Sequence, residues 1–353
     1  MMVLVTGANG LIGANLCRAL LKQGYGVRAL VRKSSDLSAI QDLKVEIVYG
    51  DVLQPETLFV AIAGCELIFH VASVFSYWGI TDTELEKTAV EGVTNILVAS
   101  KAANARRVVL TSSSVVFGSS TQTIDRSETS LPDESAAPAY CLSKLHQERT
   151  ALNLANELDL DLVVVNPCMT VGPHDTKLSP SNGIIIAYLA DPFRTTFPGG
   201  CNIVSVEDVA KGHILAAEKG RRGERYLLGA ENLEWSLIHR TIGELCGVSG
   251  PQLYASHTVS FLAATAHEMW AQFTGTRPTT TREQAKMVGQ FYWYSHAKAQ
   301  SELGYAPGSA RAALATAIAS LVSSRHISVQ LRQTLSLGRE VYDARAALLK
   351  EKS

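Results

Sequence analysis

Val3-Leu4-Val5-Thr6-Gly7-Ala8-Asn9-Gly10-Leu11-Ile12-Gly13 joins a short apolar run to a glycine turn and then to the start of a helical pattern. At such a turn, the free N–H groups and the positive dipole end of the helix favour a bound phosphate. Gly7 permits the tight turn, Gly10 lets a pyrophosphate approach the backbone, and Gly13 allows close helix packing. The alternative is a purely structural turn. We predict a dinucleotide-binding turn with contacts from Gly7, Asn9, Gly10, Leu11, Ile12 and Gly13.

Short β-rich runs alternate with helical patterns from residue 2 onward. The runs lie near residues 3–6, 27–31, 45–49, 67–71, 107–111 and 162–166, and amphipathic stretches at 11–23, 84–103 and 140–157 separate some of them. Strands that alternate with helices of this length predict a parallel sheet covered on both faces. We therefore expect an α/β fold, a doubly wound (Rossmann) parallel sheet.

The rhythm breaks after Asn166 into a Gly/Pro/Ser-rich stretch at 172–183, which predicts a smaller C-terminal substrate-binding lobe. We assign residues 1–167 and roughly 203–224 to the dinucleotide-binding domain, and 168–202 with 225–322 to the lobe. Residues 323–353 are charged and helix-prone, and we expect this tail to pack on the rest of the chain; the alternative is a helix that binds a partner.

Composition excludes several classes of protein. Lys and Arg number 32 against 33 Asp and Glu, so no overall field attracts nucleic acid or an anionic membrane. The six cysteines lack C-x-x-C spacing, so we expect neither a metal site nor disulfides, and a reducing, cytoplasmic location. The longest apolar stretches are too short to cross a bilayer, and the N-terminus lacks the features of a signal peptide.

Cations follow the second predicted strand, where an NAD-specific fold usually has a carboxylate for the ribose 2′-hydroxyl. The stretch is Leu30-Val31-Arg32-Lys33. Arg32 and Lys33 are suited to a 2′-phosphate, so we predict NADP(H) as cofactor; the alternative is a solvated basic surface. Asp51 and Val52, after the third strand, are expected near the adenine, although Asp51 is also a plausible turn residue.

Tyr140-Cys141-Leu142-Ser143-Lys144 places a phenol and an ammonium four residues apart, hence on one helix face. A tyrosine with a pKa near 10 needs such a cation to act as an acid or base near neutrality. Ser112, Ser113 and Ser114 follow the fifth strand, where a doubly wound sheet opens its ligand crevice. Further cofactor contacts are expected at the carboxyl ends of the strands, from Val71, Ala72, Ser73, Thr111 and Pro167.

The glycine turn, the serine cluster and the Tyr140/Lys144 pair, in this order, resemble the extended short-chain dehydrogenase/reductases. Val165-Asn166-Pro167 with Val171-Gly172-Pro173 resembles the dihydroflavonol 4-reductase group and the hopanoid-associated sugar epimerases. The similarity covers about residues 2–322. It implies that Ser113 polarises the substrate oxygen, that Tyr140 exchanges the proton, and that Lys144 supports Tyr140 and the nicotinamide ribose.

The sequence departs from that family at two positions. Many members carry an asparagine before a Val-x-Gly-Thr motif, whereas this chain reads Thr88-Ala89-Val90-Glu91-Gly92-Val93. Asn166 replaces the arginine that many sugar-nucleotide enzymes place before the proline after strand six. The second departure weakens the epimerase interpretation.

We expect an oxidoreductase that reduces a ketone or aldehyde of a hydrophobic small molecule with NADPH. A sugar-nucleotide epimerase or dehydratase with bound NAD(P) is the second hypothesis, and a cofactor-sensing binding protein is the third. The resemblance also suits a homodimer formed through the faces of helices 84–103 and 140–157. Candidate substrate contacts are Phe75, Tyr77 and Trp78, for which core packing is an equal alternative, and Met169 and Thr170.

Overall fold

The structure of the chain is a computed structural model that describes residues 1–73, 78–135, 137–276, 278 and 280–351. The strands, in chain order, are β1 (Met2–Thr6), β2 (Gly26–Val31), β3 (Glu46–Tyr49), β4 (Leu67–His70), β5 (Arg107–Thr111), β6 (Leu162–Pro167), β7 (Met169–Val171), β8 (Thr195–Thr196), β9 (Gly200–Ser205), β10 (Arg225–Leu228), β11 (Glu231–Glu234), β12 (Leu253–Tyr254) and β13 (Phe291–Tyr292).

The helices, in the same order, are α1 (Leu11–Lys22), α2 (Pro55–Ile62), α3 (Asp82–Ala102), α4 (Ala139–Glu157), α5 (Pro180–Ala190), α6 (Val206–Lys219), α7 (Trp235–Cys246), α8 (His257–Thr274), α9 (Arg282–Ala285), α10 (Ala297–Leu303), α11 (Ala310–Val322), α12 (Val329–Gln333) and α13 (Arg339–Lys350). A single 3₁₀ turn, Ser114–Phe117, follows β5. The predicted strands and helices of the first half are confirmed to within two or three residues.

The central sheet has seven parallel strands in the order β10-β6-β5-β4-β1-β2-β3. Strand order reverses between β1 and β4, since β2 and β3 lie on one side of β1 and the later strands lie on the other. In open α/β sheets, ligands bind at the carboxyl ends of the strands beside such a reversal. The doubly wound prediction is confirmed.

Both faces of this sheet are buried, which explains why its strands read as nearly continuous apolar runs. Alternate side chains go to opposite faces: Val3 and Val5 join the cluster that contains α1 and α6 residues. Leu4 points the other way, into the cluster formed with α2, α3 and α4. The start of α3 is fixed by a capping box, in which Glu84 N–H donates to the Thr81 hydroxyl and Thr81 N–H donates to the Glu84 carboxylate.

A smaller sheet forms the lobe, where β9 pairs with β7, β11 and β13. Its core includes buried residues of α5, α7 and α11. One boundary differs from the sequence analysis: β10, within the range 225–322 that was assigned to the lobe, pairs with β6 in the central sheet. Tyr226, Leu227 and Leu228 are fully buried there, so this apolar strand completes the edge of the large sheet.

The C-terminal tail packs on the lobe, as expected. Val341 of α13 is completely buried in the lobe core. Leu331, Leu335 and Leu348 are partly buried against the same core. Arg311 of α11 adds an ion pair with Glu340 of α13 at 3.0 Å.

Candidate active site

The glycine turn has the geometry that a close backbone approach requires. Gly7 lies in the left-handed region (φ +64°), and a Cβ there would come within 2.7 Å of the Ala72 Cα. A Cβ on Gly13 would lie 2.2 Å from the Gly7 carbonyl oxygen. At Gly10, the residue that precedes α1, a Cβ would meet nothing closer than 3.4 Å. The turn therefore needs glycine at positions 7 and 13, and it leaves open space above Gly10.

The ends of β1 and β4 are joined by the hydroxyl of Thr6. It accepts hydrogen bonds from the backbone N–H groups of Val71 (3.1 Å) and Ala72 (3.0 Å). With both lone pairs used, the hydroxyl donates to Nδ1 of His70 at 2.9 Å. Neutral His70 then carries its proton on Nε2, a buried atom with no hydrogen-bond partner among the described residues. Burial, aided by the charge of Lys144, lowers the pKa of His70 to about 3.

Ser113 and Tyr140 come together at the carboxyl end of β5. Ser113 is the N-cap of the 3₁₀ turn that follows β5, and Tyr140 is the second residue of α4. Burial raises the pKa of Tyr140 well above its ordinary value, and a hydrogen bond with Ser113 opposes that rise. The phenol is therefore protonated near neutral pH. The lowering of this pKa by Lys144, predicted from the sequence, is not among the effects in this structure.

Lys144 lies one turn further along α4 and is 2% exposed. Its Nζ donates to the carbonyl of Thr111 (3.0 Å) and to Oε1 of Gln147 (2.5 Å), and lies 3.5 Å from the Ser73 hydroxyl. Burial lowers the pKa of Lys144 to about 8, while the charge of Glu148 raises it. The ammonium thus faces the carboxyl ends of β4 and β5.

A buried polar network surrounds Glu148, four residues after Lys144 on α4, and most of its members were not predicted from the sequence. The side chain of Glu148 is 2% exposed. Its carboxylate accepts from Asn166 Nδ2 at 2.7 Å and from Arg225 at 3.2 Å. Asn166 Nδ2 also lies 3.2 Å from the Ser113 carbonyl, to which it donates. The signal in the sequence was the spacing of Glu148, four residues after Lys144 on the same helix face.

Basic side chains from two separate segments lie near the end of β2, where the 2′ position of the cofactor ribose is expected. Arg32 and Lys33 follow β2 and are exposed. Lys177, which the sequence analysis did not single out, lies close enough that the charge of Arg32 adds to burial in lowering its pKa, against the charge of Asp36. Asn9 is 6% exposed and donates to the Asp36 carbonyl at 3.0 Å, which ties the glycine turn to this loop.

Some of the other residues predicted to contact the cofactor lie at the crevice, and others are buried in the protein. The Asp51 carboxylate accepts from Leu53 N–H at 3.0 Å, as a turn residue does. The Val52 carbonyl accepts from Asn95 of α3 at 2.9 Å. The Thr111 hydroxyl forms a hydrogen bond with Nε2 of His213 at 2.8 Å, and the Thr111 carbonyl accepts a hydrogen bond from Lys144. Pro167 is buried where β6 pairs with β10.

The predicted substrate contacts are only partly placed. Phe75 and Tyr77 lie outside the described residues, and Trp78 is partly buried. Met169 and Thr170 belong to β7, in the lobe sheet. Met169 packs against the lobe core, and the buried Thr170 hydroxyl donates to the Cys168 carbonyl at 2.9 Å. Core packing therefore accounts for these two side chains.

A cavity of about 300 Å³ lies between α8 and α9, near the start of α4. Glu283, which lines the cavity, connects it to the start of α4, because its carboxylate accepts a hydrogen bond from the Ala139 N–H at 3.4 Å. The cavity is lined by Phe261, Glu268, Arg282, Glu283 and Lys286. Within the described part of the chain, no cluster of three or more His, Cys, Asp or Glu side chains is arranged for a metal ion, and no helix is both long and apolar enough to span a membrane.

Comparison with known proteins gives a consistent set of matches. The model of the NAD dependent epimerase/dehydratase family matches residues 3–229. A putative dihydroflavonol 4-reductase of Synechocystis is 37% identical over 320 residues, which cover 89% of this chain and 92% of that protein. Sterol demethylase protein B of Methylococcus capsulatus is 32% identical, over 90% of this chain and 98% of its own.

A third relative, from Stigmatella aurantiaca, is 4-hydroxy-2-methyl-3-oxo-4-farnesyl-3,4-dihydroquinoline-1-oxide ketoreductase. It is 30% identical over 87% of this chain and 92% of its own length. Among solved structures, gox2253 superposes with a TM-score of 0.82 at 35% identity, over 93% of this chain and 99% of that chain.

Proposed function

Because the chain belongs to the NAD-dependent epimerase/dehydratase family and is an NAD(P)-dependent oxidoreductase, we propose that it reduces the carbonyl group of a lipophilic small molecule with NADPH. The observation that supports this function is the convergence of Ser113, Tyr140 and Lys144 at the carboxyl end of β5, with the phenol protonated. A protonated phenol suits the donor role that a reduction requires.

The residues present fit a dinucleotide. Helix α1 starts at the glycine turn with no capping side chain and no acidic residue in its first turn, so its N–H groups are available to a pyrophosphate. The space above Gly10 admits the phosphate groups. The bound nicotinamide supplies a hydride. Arg32 and Lys177 would hold a 2′-phosphate, which supports NADP(H) over NAD(H).

Three side chains then divide the chemistry. The Ser113 hydroxyl donates a hydrogen bond to the substrate carbonyl oxygen and fixes its position. Tyr140 gives its proton to that oxygen, a step that a positioned acid accelerates by about 10²- to 10⁴-fold. Lys144, whose ammonium lies at the carboxyl ends of β4 and β5, would hold the nicotinamide ribose.

The substrate class follows from two kinds of support. The Stigmatella relative is named for the reduction of a farnesylated ketone, and the Synechocystis relative for a flavonoid reductase. In this chain, Asn166 takes the place of the arginine found in many sugar-nucleotide enzymes, which favours a lipophilic ketone or aldehyde over a sugar nucleotide.

The test is NADPH consumption, followed at 340 nm, against a panel of aryl ketones, prenylated ketones, aldehydes, β-keto acids and sugar nucleotides. We expect turnover with a lipophilic carbonyl compound and a loss of at least about 100-fold in kcat for Tyr140→Phe at unchanged melting temperature. Full activity of Tyr140→Phe would contradict the assigned chemistry. Interconversion of a sugar nucleotide without net NADPH consumption would instead support an epimerase.

A further inference from the structure

The side chain of Asn166 joins the two elements that carry the proposed catalytic groups. It lies near the end of β6 and is completely buried. Its Nδ2 has two acceptors: the carbonyl of Ser113, just after β5, at 3.2 Å, and the Glu148 carboxylate of α4 at 2.7 Å. A single amide therefore connects the serine segment to the helix that contains Tyr140 and Lys144.

The direction of these two bonds is fixed by the acceptors. A carbonyl oxygen and a carboxylate oxygen both accept, so the group that faces them is the NH₂ of the amide and not its oxygen. The Oδ1 atom of Asn166 is buried with no hydrogen-bond partner among the described residues. Asn166 thus serves here as a donor to two acceptors.

The backbone alone does not hold Ser113 to β6. In the described part of the chain, the last backbone hydrogen bond between these strands runs from the Ser112 N–H to the Val165 carbonyl, at 2.9 Å. Pro167 has no N–H with which to continue the pairing. The Asn166 side chain spans the two strands just past this point. It supplies the connection that the backbone no longer makes.

The orientation of Ser113 depends on its own carbonyl. Ser113 is the N-cap of the 3₁₀ turn after β5 and has extended backbone angles, φ −154° and ψ 150°. Its carbonyl accepts from the Val116 N–H at 3.3 Å as well as from Asn166. Because this carbonyl is held from the turn and from the sheet, the backbone of Ser113 is fixed, and the direction of its Cα–Cβ bond is fixed with it.

The second acceptor of the amide is held in turn by β10. Arg225 donates to the Glu148 carboxylate at 3.2 Å. Its guanidinium also lies 4.9 Å from the centre of the ring of Phe117, the last residue of the 3₁₀ turn. Arg225 therefore contacts both the partner of Asn166 and the turn that Ser113 caps. Such supporting contacts keep a site in its productive geometry.

We propose that Asn166 is a positioning residue for the reduction, which fixes the Ser113 hydroxyl relative to Tyr140 of α4. This inference rests on the proposed function, in which Ser113 holds the substrate oxygen while Tyr140 gives its proton. Asn166 acts through Ser113 and touches neither substrate nor cofactor. A misplacement of about 1 Å can cost about 100-fold in rate, so loss of the amide should lower kcat and leave cofactor binding nearly unchanged.

Steady-state kinetics of Asn166→Leu tests this role, because leucine has a similar size and no donor. We expect kcat for the carbonyl substrate to fall at least about tenfold, with the KM for NADPH within about twofold of the wild-type value. Asn166→Asp keeps the shape of asparagine but has at most one proton to donate. It should show the same loss, and it replaces the leucine variant if that variant does not fold. Wild-type kcat in a folded Asn166 variant would overturn the proposal.

Asn182 offers a matched control in the lobe. It is also completely buried, and its Nδ2 donates to the Gly172 carbonyl at 2.8 Å and to the Asp175 carboxylate at 2.9 Å. Asn182→Leu should lower the melting temperature by a similar amount, because it removes the same kinds of bond, while kcat stays within about twofold. An equal fall in kcat for both leucine variants would assign the effect to general destabilisation and reject a positioning role.

A double-mutant cycle separates this inference from the proposed function. If Asn166 acts through Ser113, Asn166→Leu should lower kcat less than about twofold once Ser113→Ala has removed the hydroxyl. Equal losses in the two backgrounds would refute a route through Ser113. Full activity of Ser113→Ala would contradict the proposed function itself. A strongly impaired Ser113→Ala beside a fully active Asn166→Leu would overturn only the positioning role.

Discussion

Burial lowers the pKa of Lys144 and the charge of Glu148 opposes that effect, so removing the charge of Glu148 tests the buried network beside the site. Glu148→Gln keeps the shape of the side chain and an oxygen for Asn166 or Arg225, but it removes the charge that raises the pKa of Lys144. A neighbouring opposite charge shifts a pKa by about one unit or more. We therefore expect Lys144, with its pKa of about 8 in the intact protein, to lose its proton about one pH unit lower in the variant.

The expected change in activity follows from these values. At pH 7.5 an amine that titrates near 8 is about three-quarters protonated, and one that titrates a unit lower is about one-quarter protonated. If catalysis needs the ammonium, kcat/KM for carbonyl reduction should fall about threefold at pH 7.5. The difference should disappear below about pH 6, where both proteins carry the charge.

The assay is the pH profile of kcat/KM from about pH 5.5 to 9.5, with the best carbonyl substrate and saturating NADPH. Glu157→Gln, at an exposed position of the same helix, is the control for a general change of charge. Glu148→Asp keeps the charge and should keep the alkaline limb in place, whatever its effect on kcat. If Glu148→Gln and the wild type share one alkaline limb while both remain folded, the electrostatic role of Glu148 is refuted.

Three further predictions concern the glycine turn, the cofactor and acid stability. Gly13→Ala should lower the free energy of unfolding by about 1–3 kcal/mol in urea titrations, because its Cβ would meet the Gly7 carbonyl oxygen at 2.2 Å. The control Gly183→Ala, with nothing within 4 Å of the added Cβ, should stabilise α5 slightly. Equal changes in the free energy of unfolding for the two variants would contradict this prediction. Arg32→Ala should raise the KM for NADPH at least about tenfold and leave that for NADH nearly unchanged, whereas parallel changes would remove Arg32 from the 2′-phosphate site. Burial lowers the pKa of His70 to about 3 and that of His213 to about 4; unfolding therefore takes up protons, and stability should fall as the pH drops from about 6.5 to 4, by at most about 1.4 kcal/mol per pH unit for each histidine. The slope should be shallower in His213→Asn.

The central sheet could be predicted from the sequence because strand periodicity and glycine spacing are local signals. The apolar run that ends at Thr6 predicts a strand, and Gly7 and Gly13 predict the turn that follows it. The spacing of Tyr140 and Lys144 alone predicts that they share a helix face. The strand β10 was harder to assign, because its four residues lie at the boundary between the two predicted domains and give no local sign of which sheet they join.

The buried network was not predictable for a related reason. Glu148 pairs with Asn166 and Arg225, which are 18 and 77 residues away along the chain. Only the tertiary structure brings these groups together, so their pairing could not be predicted from one sequence, in which each is an isolated polar residue. The same holds for Lys177, whose nearness to Arg32 depends on how the lobe returns toward β2.

The ribose end has a consequence for the redesign of cofactor preference. Arg32 belongs to the nucleotide-binding half, Lys177 to the segment after β7, and Arg325, 3.8 Å from Asp36, to the tail. A chimera that joins residues 1–167 to the lobe of another protein would therefore contain only some of these basic residues. A chimera would have to carry the loop around residue 177 and the start of the tail to keep the proposed preference for a 2′-phosphate.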